Sequence, residues 1–237
     1  MKAMIFAAGL GTRFKPWTDN HPKALAPVNG KSLLQRNVEY LQQFDIRDVV
    51  VNVHHFADQV IDIIKANKGW GSNIIISDES KELLDTGGGL LKAKDHLKDD
   101  QFMTINADIL TNLDIFDLID QRRFNDALIT LAVTDRKTSR YLLFDPNNRL
   151  CGWKNTETKE DRIVVPMHPL KPLAYSGVAI FQPGIFDFIT QTGKFSITET
   201  YLQLADGNMI MAYDHTGDDV IDVGKPGSVK LAENLFP

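Results

Sequence analysis

The stretch Ala3-Met4-Ile5-Phe6-Ala7-Ala8-Gly9-Leu10-Gly11-Thr12-Arg13 decides how the chain is read. An apolar run from Ala3 to Ala7 without polar alternation predicts a strand buried on both faces, and the two glycines behind it predict a tight loop. The same kind of run returns at Val49 to Val53 (Val-Val-Val-Asn-Val), at Ile74 to Ile76 and at Phe102 to Ile105. Between these strands, Leu33, Leu34, Val38, Leu41 and Phe44 recur at helical spacing, as do Phe56, Val60, Ile63 and Ile64. Short apolar strands alternating with helix-length segments imply right-handed crossovers and a parallel sheet covered on both faces. The expected class is α/β, a doubly wound and mainly parallel sheet.

Beyond residue 126 the pattern changes. Ala127 to Val133 reads as another buried strand, and Tyr141 to Phe144, Asp145-Pro146-Asn147-Asn148 and Arg149 to Lys154 read as a hairpin closed by an Asx- and Pro-containing turn. Lys159 to Lys171 is polar and reads as an exposed loop, and Val178 to Phe181 as a strand. Ser196 to Leu204 reads as a helix with Ser196 and Glu199 spaced as a capping box. Met209 to Ala212 and Val220 to Val223 are short strands, and Pro226 opens a final helix through Leu235. The expectation is a single domain, 1–237, with a half at about 1–125 and a second half at about 126–237.

Composition excludes several classes. With 31 acidic and 26 basic residues the formal charge is -5, so no broad positive field draws in nucleic acid or a membrane surface. An anionic small substrate must find local positive groups instead. The one cysteine, Cys151, rules out an intrachain disulfide and a CxxC motif, and reads as a small buried hydrophobe. No apolar run matches a signal peptide or a membrane span, and a cytoplasmic protein is expected.

The loop after the first strand continues as Phe14-Lys15-Pro16-Trp17-Thr18, with His21-Pro22-Lys23 downstream. Glycines let backbone N–H groups approach a phosphate chain, Arg13 offers a planar fork for its oxygens, and Lys23 a compact charge. A dinucleotide-binding loop demands a third glycine where Phe14 stands, and the second strand ends Asn52-Val53-His54-His55 without the acidic ribose ligand. No Gly-Lys-Ser/Thr follows to make a Walker loop. The run Gly9-x-Gly11-x-Arg13-x-x-Pro16-x-Thr18 with Pro22-Lys23 instead resembles the signature loop of sugar-1-phosphate nucleotidyltransferases, with Trp17 where leucine is commoner. The resemblance implies a Rossmann-like nucleotidyltransferase fold with a small sugar-binding hairpin extension. It makes the first half nucleotide-binding and the second sugar-binding. It also implies that Ala8, Gly9, Gly11, Thr12, Arg13 and Lys23 contact the nucleotide, and that Arg13, Lys23 and Asp108 serve catalysis.

Asn106-Ala107-Asp108 directly follows the fourth strand, where open parallel sheets place their ligands, although a strand-end cap is an equal reading of Asp108 alone. Mg²⁺ takes one or two carboxylates plus water and phosphate oxygens. The resemblance assigns Asp108 and the later Asp222 as ligands of that ion, leaving Asp114, Asp117 and Asp219 as caps or surface residues. In Leu84-Asp85-Thr86-Gly87-Gly88-Gly89-Leu90, the glycines allow a flat base to lie on the backbone, or simply make a turn before a helix starting near Leu90. The resemblance puts Thr86, Gly87 and Gly88 on the base. In its triple-glycine form the segment looks most like that of N-acetylmuramate 1-phosphate uridylyltransferases. It further implies sugar contacts from Asn106, Tyr175, Gly177 and Glu199. Lys154 stands as a holder of the sugar phosphate, although the family's Glu-Lys-Pro segment is replaced by Trp153-Lys154-Asn155. His54 and His55 read as structural strand-end residues.

The activity implied is transfer of a nucleotidyl group, from UTP by preference, to a sugar 1-phosphate such as N-acetylmuramate 1-phosphate or a related aminosugar phosphate, with release of pyrophosphate and with Mg²⁺ as cofactor. The alternatives are a guanylyltransferase for mannose or heptose 1-phosphate and a non-catalytic nucleotide-sugar sensor. The partners are therefore a nucleoside triphosphate and a sugar 1-phosphate, with no nucleic acid and no membrane, in a monomer or small homo-oligomer. No hexapeptide period of an appended β-helix is present.

Overall fold

A computed structural model describes residues 1–237. In chain order the first half runs β1 (Lys2–Phe6), β2 (Pro27–Val28), β3 (Lys31–Ser32), α1 (Leu33–Gln43), β4 (Asp48–Val53), α2 (Ala57–Ala66), β5 (Asn73–Asp78), α3 (Asp85–Lys92) and α4 (Lys94–Leu97). It continues through β6 (Phe102–Asn106), β7 (Ile109–Thr111) and α5 (Ile115–Phe124). The second half holds β8 (Ile129–Thr134), β9 (Arg140–Phe144), β10 (Leu150–Asn155), β11 (Glu160–Ile163) and β12 (Lys171–Phe181). It ends with α6 (Ile197–Ala205), β13 (Ile210–Asp214), β14 (Val220–Asp222) and α7 (Val229–Leu235).

The main sheet has ten strands in the order β11-β10-β9-β12-β6-β1-β4-β5, with β8 also paired to β12 and β13 to β8. Strands β6, β1, β4 and β5 are parallel neighbours, as are β8 and β13. The long β12 runs antiparallel to β6, β8 and β9 and so joins the two halves in one sheet.

The unbroken apolar runs follow from burial on both faces. In β1, Ala3 and Ile5 pack with Leu34, Val38, Val60 and Leu118 on one side, whereas Met4 packs with Leu90, Phe102 and Tyr201 on the other. Helix α1 buries its stripe of Leu33, Leu34, Val38 and Leu41, and Ser32 caps it by accepting from the Gln35 N–H at 3.1 Å. The hairpin of β9 and β10 turns on Asp145, whose Oδ1 accepts the N–H groups of Asn147 and Arg149, each at 2.9 Å. Cys151 is fully buried in it. No helix is long and apolar enough to cross a membrane.

Three expectations need correction. The loop expected at Lys159 to Lys171 contains β11, an edge strand on β10. Its Glu-Asp-Arg-Ile sequence hides the strand because an edge exposed to water tolerates charge on both faces. The helix expected near Leu90 starts at Asp85, so Gly87 and Gly88 are inside it. No element was expected between Asn106 and Ala127, yet β7 and α5 lie there, with Asp114 capping α5 through the Phe116 N–H at 2.8 Å.

Candidate active site

The site assembles around the carboxyl end of β6. Ala107 donates its N–H to the carbonyl of Phe6 at 3.0 Å, which ties the β6 exit to the end of β1. The buried Asn37 of α1 donates through Nδ2 to the carbonyls of Leu33 (3.0 Å) and Ala107 (3.1 Å). The next residue, Asp108, accepts the Val223 N–H at its own carbonyl, at 2.8 Å. Strand β14 pairs antiparallel with β7 so that Asp222 lies opposite Ile109. A small apolar cluster of Phe14, Val28, Leu110, Ile221, Val223 and Ala232 packs beneath this ladder. The fold thus brings the two predicted carboxylates together.

Electrostatics report the same proximity. Burial pushes the Asp222 pKa up, and the Asp108 carboxylate adds to the rise, while Lys23, Arg13 and Arg136 pull it down. The Lys23 ammonium forms an ion pair with Asp108 Oδ2. Two crowded carboxylates are a set of hard oxygen donors suited to Mg²⁺, which leaves its other positions to water and phosphate. A Cβ on Gly224 would lie 2.5 Å from Asp222 Oδ1 and 3.0 Å from an Arg13 terminal nitrogen, so only glycine leaves that carboxylate uncovered there. The donor set fits the ion.

A first cleft of about 420 Å³ opens between the Ala7–Thr12 loop, Lys23 and the Leu83–Thr86 segment, with Asn52 and Asn106 also on its wall. Gly11 sits at φ +59°, and a Cβ there would meet Thr18 Cγ2 at 2.8 Å and Lys23 Cβ at 3.0 Å. Its glycine therefore closes the loop onto the lysine segment, which Thr18 Oγ1 secures by donating to the Gly11 carbonyl at 2.9 Å. Gly9, by contrast, has open space on its Cβ side, facing the cleft. The loop is also held from below. The Ala7 N–H donates to Asn52 Oδ1 at 2.7 Å, and Asn52 Nδ2 donates to Glu79 Oε1 at 2.7 Å. Glu79 is buried, its pKa raised by desolvation, and its Oε2 accepts the Leu84 N–H at 3.3 Å.

A second cleft of about 290 Å³ lies on the far side of Asp108, against β9 and β12. Arg13, Asp222, Arg136, Arg140, Tyr175 and Gly177 are on its wall. Only Asn106 and Asp108 line both clefts. Gly177 stands at φ +75° where the register of β12 on β8 shifts, and a Cβ there would press on Ile109 Cγ1 at 2.8 Å and Asn106 Nδ2 at 2.9 Å. Burial pushes the Tyr175 pKa up to about 12, so its phenol stays neutral, paired with the Tyr201 hydroxyl at 3.3 Å.

Among the residues singled out from the sequence, Ala8, Gly9, Gly11, Thr12, Lys23, Thr86, Asn106 and Asp108 line the first cleft. Arg13, Tyr175, Gly177 and Asp222 line the second, so Arg13, expected on the nucleotide with the glycine loop, faces the second cleft and not the first. Four further residues depart from expectation. The amides of Gly87 and Gly88 both point at the Phe195 carbonyl, at 2.9 and 3.3 Å, and are not free for a base edge. The packing explains these glycines: a Cβ on Gly87 would sit 2.3 Å from the Phe195 ring. Lys154 alternates with the cleft-lining Trp153 along β10 and pairs with Asp161 at 3.4 Å. Glu199 is held by both terminal nitrogens of Arg162, at 2.6 and 2.8 Å, instead of completing a capping box with Ser196. Asn52, Arg136, Arg140 and Lys194 were missed. Asn52 had a signal, as the one polar residue in the run Val-Val-Val-Asn-Val, whereas the two arginines lie in a polar segment without a motif.

A glycine loop at the end of β1, carboxylates brought together from the ends of β6 and β14, and two clefts meeting there define a nucleotide-transferring enzyme. The family model "Nucleotidyl transferase" matches residues 2–234, and the chain belongs to that family. A similar protein is the N-acetylmuramate alpha-1-phosphate uridylyltransferase of Neisseria meningitidis, 30% identical over 99% of this chain and 98% of that one. The enzyme of the same name from Caulobacter vibrioides is 46% identical over 38% of each chain. The mannose-1-phosphate guanyltransferase of Yarrowia lipolytica is 29% identical over 95% of this chain and 61% of its own length. The fold is shared with HddC from Yersinia pseudotuberculosis, with a TM-score of 0.82 and 23% identity over 100% of this chain and 99% of that one. The chain is thus an enzyme of the sugar-1-phosphate nucleotidyltransferase class.

Proposed function

We propose that the enzyme transfers a uridylyl group from UTP to N-acetylmuramate 1-phosphate or a related aminosugar 1-phosphate, releasing pyrophosphate. The observation that carries this reading is that the two clefts share Asp108, so two phosphorylated substrates meet at one carboxylate. The uridine and aminosugar choices are supported by the relatives that carry the N-acetylmuramate uridylyltransferase name. One unit with a nucleotide half at about 1–125 and a sugar half at about 126–237 is part of this reading, supported by the continuous sheet.

In the proposed reaction, an oxygen of the sugar phosphate attacks the α-phosphorus of UTP, and the bond from that phosphorus to the β-phosphate oxygen breaks. The nucleophile is already ionised, so no general base is required, and positioning and charge neutralisation carry the rate. Asp108 and Asp222 would hold Mg²⁺, which would supply neutralisation of the phosphate charges. The Gly9–Thr12 backbone and Lys23 cradle the triphosphate from the first cleft. Arg13, beside Asp222, faces the reacting phosphates from the second.

Pyrophosphate release is measured with each ribonucleoside triphosphate against a panel of sugar 1-phosphates. UTP with N-acetylmuramate 1-phosphate is the expected best pair. A strict requirement for GTP with mannose or heptose 1-phosphate would replace the substrates, a reading favoured by the guanyltransferase relative. Release with no pair would overturn the proposal.

A further inference from the structure

Three guanidinium groups, of Arg13, Arg136 and Arg140, line the second cleft, and none of them has a carboxylate within ion-pair distance. The cations just outside the cleft behave differently: Lys154 is paired with Asp161 and Arg162 with Glu199. Uncompensated cations gathered in a concave site select an anion. Among the three, Arg136 is the one fixed in place. It is half-buried at the exit of β8, and one terminal nitrogen donates to the Tyr175 carbonyl at 2.9 Å. That bond is the only one its guanidinium makes within the chain, and its Nε is buried without a partner. Most of its donors remain available. It shares the wall of this cleft with Asp108 and Asp222.

We propose that Arg136 is the residue that holds the phosphate of the sugar 1-phosphate substrate, the position the sequence alone gave to Lys154. This rests on the functional reading above. The Tyr175 carbonyl aims the guanidinium, and the planar fork then orients the phosphate for attack in the cleft that Asp108 and Asp222 also line. Tyr175 thereby acts on the phosphate through its backbone, while its phenol stays tied to Tyr201.

The test compares Arg136→Met, Arg136→Gln and Arg136→Lys with the wild type, measuring KM for the sugar 1-phosphate and for the nucleotide separately. Loss of a charge-assisted contact to phosphate is expected to raise the sugar-phosphate KM roughly 10- to 100-fold in the Met and Gln variants. The nucleotide KM should stay within roughly 3-fold of wild type, and the Lys variant should recover part of the loss, because the charge but not the fork is kept. Should the Met variant not fold, the Gln variant, which keeps an amide donor for the Tyr175 carbonyl, carries the comparison. An unchanged sugar-phosphate KM, or equal losses toward both substrates, would overturn the assignment. If the wild type uses mannose 1-phosphate instead of an aminosugar phosphate, the substrate reading falls, and the same comparison made on mannose 1-phosphate still decides the role of Arg136.

Discussion

Val223 donates its backbone N–H to the carbonyl of Asp108 at 2.8 Å, which stitches the two carboxylate-bearing segments together immediately beside both side chains. Their approach is therefore set by a backbone ladder and does not wait for a ligand.

Replacing Asp108 by Asn removes a charge without removing volume. The backbone ties of Asp108 do not involve the side chain, so the circular-dichroism spectrum is expected to be unchanged. Turnover is expected to fall by roughly a thousandfold or more, in keeping with loss of a main electrostatic element of a transfer reaction. Near-wild-type kcat would remove Asp108 from the mechanism.

Asp222 bears on stability as well as on turnover. Its folded-state pKa is raised, chiefly by burial and then by Asp108, so the folded form binds its proton more tightly than the unfolded chain does. Its contribution is fully present below the unfolded carboxyl value and is lost as pH rises through the raised folded one. Asp222→Asn is expected to melt a little higher than wild type at pH 7 without metal, and to be inactive. The gain should shrink below pH 4. A lower melting temperature for the variant at pH 7 would contradict this.

Gly177→Ala tests the seam between the clefts. The left-handed φ and a Cβ pressed against Ile109 and Asn106 together are expected to cost about 1–3 kcal/mol in urea unfolding. Since the displaced Asn106 lines both clefts, KM should rise for both substrates.

Lys154→Ala is the counterpart. Its partner Asp161 is half-exposed on an edge strand, and such pairs contribute about 0–1 kcal/mol. The sugar-phosphate KM is expected to remain within roughly 2-fold, in contrast to the Arg136 variants. A large increase would restore Lys154 to the site.

Glu79→Ala breaks the chain from Leu84 through Asn52 to Ala7. A buried network that loses one member leaves its partners unsatisfied, a cost of about 1–3 kcal/mol. The nucleotide KM is expected to rise several-fold with kcat less affected, read by initial rates at saturating sugar phosphate.

The parallel half of the fold was legible because strands buried on both faces must be apolar throughout, as Ala3 to Ala7 and Val49 to Val53 are. Edge strand β11 was not, since water on both sides frees its sequence from any pattern. Asp108 and Lys23 were singled out by the resemblance to sugar-1-phosphate nucleotidyltransferases more than by strand-end and loop chemistry, and both line the first cleft. Arg136 was invisible because its role comes from the Tyr175 carbonyl and from a β12 path that no local spacing records. Gly87 and Gly88 were noticed for the absence of a side chain, and the structure gives that absence a packing reason, since the Gly193 carbonyl lies against Gly88 and Phe195 against Gly87.

That last contact has a mechanical side. Phe195 accepts from Gly87 and Gly88 and donates to Leu84 at 3.1 Å, while Ile197 donates to Thr86 Oγ1 at 3.0 Å. A segment of the far half is thus fastened by four hydrogen bonds to one flank of the first cleft, whereas the opposite lip, the turn at Leu10 and Thr12, stands exposed to solvent.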